Sequence, residues 1–174
     1  MRPGISVLVP LLHAIDRLNV LVGSVVAVLV PAMIVVICCE VVARYVFNSP
    51  TIWAHDLSVF MFGYLGLLSG GYIHKLQRHI SVDILYIRAS IRSKVLLDVV
   101  NGSLGIFFLV LVGIVGWHKA MEDIAIGARL STEWAPSRGH LMLMIPIGAG
   151  LLIFQSFANC IRSIYFAWTG RRLA

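Results

Sequence analysis

Charge is what this sequence has least of. Only 13% of its 174 residues are Asp, Glu, Lys or Arg, against roughly a quarter in ordinary soluble domains. So few charges cannot cover a globular exterior, which excludes a typical water-soluble domain. Disorder is excluded too, because it needs low hydropathy, and here 59% of residues are hydrophobic with a mean hydropathy of +0.92. Three cysteines do not make a disulfide scaffold. The net charge of +6 reads as a membrane orientation signal rather than a polyanion groove, so no nucleic-acid partner is expected.

What is present is long runs without charge. Leu18–Cys39, Leu57–Ile73, Val99–His118 and Gly139–Ile161 contain no Asp, Glu, Lys or Arg. Each is close to the ~20 residues a helix needs to cross a hydrocarbon core of about 30 Å. Barrel strands would alternate over segments of ~10 residues instead. The expected fold is an all-α membrane protein with four transmembrane helices in one membrane domain over 1–174. The spans fall at about 18–42, 56–74, 98–118 and 139–162. Ile5, Leu8, Leu12 and Ile15 lie on one face of an N-terminal interfacial helix, and Pro31 and Pro146 are expected bend points.

With four spans, both termini share a side. That side, with the loop His74–Asp98, carries ten of the fourteen Lys and Arg, and its balance is +7 against −1 opposite. The positive-inside rule makes both termini cytoplasmic in a multi-pass inner-membrane protein. Between spans two and three, Ile80, Ile84, Ile87, Ile91 and Val95 recur at helical spacing with Arg88, Arg92 and Lys94 on other faces. This predicts an amphipathic inner-face helix that meets anionic lipid. Cys38 and Cys39 lie at the opposite face from Cys160, too far for a bridge, and read as small packing residues.

None of the spans has an ionisable residue at its centre, so a solute path of its own is not expected. Gln155 and Asn159 share a helix face and suit an interhelical hydrogen bond. Gly66 and Gly70 form a GxxxG step that permits close helix packing. His55, His118 and His140 fall near the outer face, His74 and His79 near the inner, and His13 in the N-terminal segment, where water or headgroups satisfy them, so no metal, cofactor or catalytic residue is expected. The alternative is a haem-bearing membrane anchor of a respiratory oxidoreductase.

The first outer loop orders Arg44, Tyr45 and Phe47, then Asn48 and Pro50, then Trp53 and Asp56. A glycine-rich span with Gly66, Gly70 and Gly71 follows, then His79-Ile80-Ser81-Val82-Asp83 and, near the end, Pro136, Pro146-Ile147-Gly148 and Gln155. This ordered set, over about Leu18 to Arg162, resembles the small integral-membrane subunit of tripartite ATP-independent periplasmic (TRAP) transporters. Asp56 stands where many members carry Glu. The resemblance implies a sodium-gradient-driven importer of organic acids and no enzyme activity. In such a complex a large multi-span subunit holds the substrate, a periplasmic substrate-binding protein docks transiently, and this chain serves as a scaffold. It also marks Arg44, Asn48, Pro50, Trp53 and Asp56 as outer-face motif residues and His79 and Asp83 as inner-face ones.

The second outer loop mixes both signs with an aromatic, which suits an electrostatically guided protein contact. Glu122, Asp123, Arg129, Glu133 and Trp134 are the candidate docking residues; the alternative is a solvated loop with local ion pairs. Arg44 has two acids within reach, Glu40 and Asp56.

Overall fold

The computed structural model describes residues 3–76 and 91–169, with side chains described over 9–76 and 99–166. Five helices account for most of it: α1 (Pro3–Ala27), α2 (Leu29–Tyr45), α3 (Ala54–Lys75), α4 (Ile91–Ala125) and α5 (Gly139–Thr169). Four candidate spans result, because α1 and α2 abut and together supply the first, Val9–Tyr45. The others are Ala54–Lys75, Val99–Ala125 and Gly139–Phe166. The expected inner-face helix around 80–90, with His79 and Asp83, lies outside the described residues. Residues 91–95 are the start of α4, which continues unbroken into the third span.

The junction of α1 and α2 has a local cause. Pro31 has no N–H to offer the carbonyl one turn earlier, at Ala27, and the helix is interrupted at Val28, whose N–H closes a tighter turn on Val25 O at 3.2 Å. Pro146, by contrast, sits inside an uninterrupted α5. Pro10 likewise does not end α1, so the N-terminal segment and the first part of the first span form one helix, and Leu12 is buried against the bundle.

In space the helices form a row, α2–α3–α5–α4, with α1 laid against α3 and α5. Close approach at two glycines sets the spacing. A Cβ on Gly148 would stand 2.4 Å from the backbone oxygen of Leu67, so α3 and α5 touch backbone to side-chain-free backbone. A Cβ on Gly71 would stand 2.0 Å from Asn19 Oδ1, which fixes α1 against α3. The expected GxxxG step divides: Gly70 meets the Leu152 side chain, while Gly66 faces outward with nothing within 4 Å. Sequence spacing identified the small residues without their rotation, and helix rotation decides which of them meets a neighbour.

At the end of the row α2 buries no side chain. Cys38 and Cys39 on it are exposed free thiols, so they are not packing residues within this chain. Cys160, which forms no disulfide among the described residues, packs where Gly102 of α4 leaves room.

Gly148→Ala should force α3 and α5 apart and cost about 1–3 kcal/mol, since backbone cannot yield as a flexible side chain does. Gly66→Ala, the same chemical change, should be close to neutral. Thermal unfolding of the two variants in one detergent would check this.

Candidate functional site

Polar and charged side chains gather at two ends of the bundle. The loop end begins with Glu40, near the C-terminus of α2. Its Oε1 accepts from Arg44 Nε at 3.0 Å and Nη2 at 2.5 Å, and its Oε2 accepts from the Thr51 backbone N–H at 3.0 Å and from the Thr51 hydroxyl. Arg44 therefore pairs with Glu40, one helical turn away, and not with Asp56. Between them Asn48 takes φ 50°, a left-handed conformation that Asn tolerates, and the Ser49 N–H reaches back to Ala43 O at 2.9 Å. Pro50 then leads toward Trp53, which precedes α3. The Arg44–Pro50 motif is thus a folded turn organised around one carboxylate.

Asp56, in the first turn of α3, is 3% exposed and accepts a 2.5 Å hydrogen bond from Thr132 Oγ1 on the second loop. This is a favourable place for an acid, at a helix N-terminus. The loop it holds is closely built. Leu130 N–H donates to Pro136 O at 3.0 Å and Arg138 N–H to Ala128 O at 2.9 Å, while Gly127 at φ 61° and Ala135 at φ 46° supply the reversals. At the loop's root Asp123 pairs with Arg138 at 2.8 Å and with Lys119 at 3.4 Å, and Lys119 also meets Glu122 at 3.0 Å.

That geometry divides the expected docking residues. Glu122, Arg129, Glu133 and Trp134 are exposed, but Asp123 is 1% exposed and held between two cations. Asp123 is therefore a structural tie and not a docking contact. The sequence places both acids in one loop; a 100° step along α4 turns one outward and the other inward.

The other end of the bundle holds a second network. Asp16 on α1 pairs with Arg162 on α5 at 2.8 Å and accepts from Gln155 Nε2 at 3.1 Å. Because a carboxylate only accepts, it turns the Gln155 amide so that Oε1 faces α1, where Asn19 Nδ2 donates to it at 2.8 Å. Asn19 Oδ1 is left against Gly71. On the α3 side, Asn159 Nδ2 donates to His74 O at 3.2 Å, and Ser156 Oγ lies 3.1 Å from His74 Nε2. Gln155, fully buried, is the centre of this network. Asp16, Asn19 and His74 are the members that the sequence did not single out. The available signal was that Asp16 closes the first span and Arg162 the fourth on the same side.

Near the loop end, a cleft of about 500 Å3 opens beside α3. Phe60 and Tyr64 of α3 and Trp134 and Pro136 of the loop line it together with His140. The His140 ring stands edge-on to Phe60, centroids 4.9 Å apart, and to Tyr64 at 6.2 Å. Among the described residues, no three His, Cys, Asp or Glu side chains gather as a metal would require. These polar groups are arranged to tie helices and loops together.

Comparison with known proteins bears on the loop end most directly. The family described as tripartite ATP-independent periplasmic transporters, DctQ component, matches residues 33–165. This range takes in Glu40, Asp56, Asp123, Arg138 and most of the cleft, and leaves Asp16 and Asn19 outside. The chain is also similar to the C4-dicarboxylate TRAP transporter small permease protein DctQ of Vibrio cholerae serotype O1 (strain ATCC 39315 / El Tor Inaba N16961), 31% identical over 145 residues. The alignment covers 71% of this chain and 62% of the relative, so the chain spans less than two thirds of that protein's length.

Gln155→Leu keeps the volume but removes the donor to Asp16 and the acceptor from Asn19. It should cost about 1–2 kcal/mol, the scale of a polar network broken inside a membrane bundle. Chemical unfolding in detergent would register this, and an unchanged midpoint would mean the network contributes nothing.

Proposed function

The chain belongs to the DctQ component family of tripartite ATP-independent periplasmic transporters, and from that membership we propose how it serves its complex. As a family member it is a transport component and not an enzyme: the small TRAP subunit, a multi-pass protein of the bacterial inner membrane. Nothing in that membership supports a haem-bearing anchor.

In the proposed role, the chain is a fixed scaffold for a large multi-span subunit that carries the substrate, and its loop end helps dock a periplasmic substrate-binding protein. The observation that carries this reading is where the charge goes. The described ion pairs lie at the two ends of the bundle and tie its own helices and loops, which suits a rigid support rather than a solute route. The second loop, braced by Asp56 and Asp123, presents Arg129, Glu133 and Trp134 outward with both signs and an aromatic, as a transient protein contact would use.

The transport itself is proposed to be sodium-gradient-driven uptake of an organic acid, a class that includes the dicarboxylates in the relative's name. The charge balance of the sequence supports both termini on the cytoplasmic side, with the loop end periplasmic and anionic lipid at the basic inner face.

Uptake by the whole transporter with its cognate binding protein tests the docking role. Glu133→Lys combined with Trp134→Ala should raise the binding-protein concentration for half-maximal uptake by about tenfold, the effect of losing one aromatic anchor and one steering charge. An unchanged concentration dependence would remove the loop from the docking surface.

A further inference from the structure

The tip of the second loop is a turn held from both sides. The Ala135 N–H closes it on Thr132 O at 3.1 Å, which leaves Glu133 and Trp134 at the corner. Thr132 Oγ1 fastens the first residue of the turn to buried Asp56 on α3, and the Arg129 guanidinium donates to Ala135 O, at the last residue, at 3.4 Å. Below the turn the two sides of the loop pair, with Arg129 opposite Ser137 and the Leu130 N–H donating to Pro136 O at 3.0 Å. Trp134 lines the cleft with part of its surface and keeps 39% of it exposed, and Glu133 is exposed beside it.

Ala135 is the unusual residue of this turn. Its φ of 46° lies in the left-handed region, where a Cβ crowds the following carbonyl. Pro136 narrows the choice further, since a residue before proline is pushed toward extended backbone. Glycine would make the same reversal freely, and the loop does use glycine at its other reversal, Gly127 at φ 61°. A strained residue persists only where its surroundings over-determine it, and such residues gather at functional sites. Here the surroundings are the hydrogen bonds of Thr132, Arg129 and Leu130.

A chain that merely crosses from α4 to α5 has no use for a stiff corner. A binding surface does, because side chains already held in place lose less freedom when a partner arrives. The corner carries an aromatic side chain next to a charge, the combination that anchors and steers a protein contact.

We infer that Thr132 and Ala135 are positioning residues, which hold the turn in the conformation that offers Glu133 and Trp134 to the periplasmic substrate-binding protein. This rests on the proposed docking role of the loop. It adds that affinity depends on the shape of the turn as well as on its two exposed side chains.

Uptake by the whole transporter, measured against the concentration of its cognate binding protein, tests the inference. Thr132→Val keeps the shape of the side chain and removes its hydroxyl, and Ala135→Val adds a branch that the left-handed region disfavours. Each should raise the concentration for half-maximal uptake by about three- to tenfold, the scale of one ordering cost, at an unchanged maximal rate. Ala135→Gly, which takes the same φ without strain, should stay within about twofold of the parent. A maximal rate that falls while the half-maximal concentration holds would assign both residues to folding alone and overturn the inference. A glycine variant as weak as the valine one would overturn it too. If both valine variants leave the half-maximal concentration unchanged while Glu133→Lys with Trp134→Ala raises it, the positioning role fails and the docking role stands. No effect from that double variant would remove the docking role, and this inference with it.

Discussion

A bilayer supplies no water to a stranded charge, so every charged group in this bundle has to find a partner in the chain or sit at an end where water reaches it. The rest of the structure follows from how that requirement is met. Glu40 takes donors from Arg44 and Thr51; Asp123 takes two cations; Asp56 takes the hydroxyl of Thr132. Each tie closes a loop as well as satisfying a carboxylate, so the loop end becomes rigid through the same contacts that make its acids tolerable. At the other end Asp16 orients Gln155, Gln155 orients Asn19, and α1 is joined to α5 through one buried amide, while Ser156 and Asn159 of α5 reach His74 on α3.

Between the two ends, dispersion replaces charge. Apolar side chains gain nothing by leaving lipid for protein, so helices hold together where their backbones come closest. Gly148 meets the Leu67 backbone and Gly71 the Asn19 side chain, and both contacts involve α3. This makes α3 the spine of the row, with α5 and α1 packed on it and α4 packed on α5. α2 receives no such glycine contact among the described residues, and it stands at the edge of the row with no side chain fully buried.

The outer-face residues singled out in the sequence gain a physical meaning from these contacts. Arg44, Asn48 and Pro50 are residues of a turn built on Glu40, and Asp56 is the fastening point of the second loop. Asp56 supplies the acceptor for the Thr132 hydroxyl. Their contacts within the chain fix the shape of the surface at the loop end.

The sequence by itself determined the class of protein, the four spans and the sorting of charge, because hydropathy and charge act locally and need no knowledge of neighbours. Pro31, one turn after the break it causes, was legible for the same reason. Tertiary structure decided everything that depends on helix rotation and on contact between distant segments. Glu122 and Asp123 are adjacent in the chain, yet one is solvated and the other buried; Gly66 and Gly70 belong to one motif, yet only Gly70 meets a neighbour. Nothing in a run of apolar residues states which face turns inward, since in lipid all faces are equally at home. Only the meeting of glycine with backbone and carboxylate with guanidinium fixes that rotation, and with it the edge that the bundle leaves open.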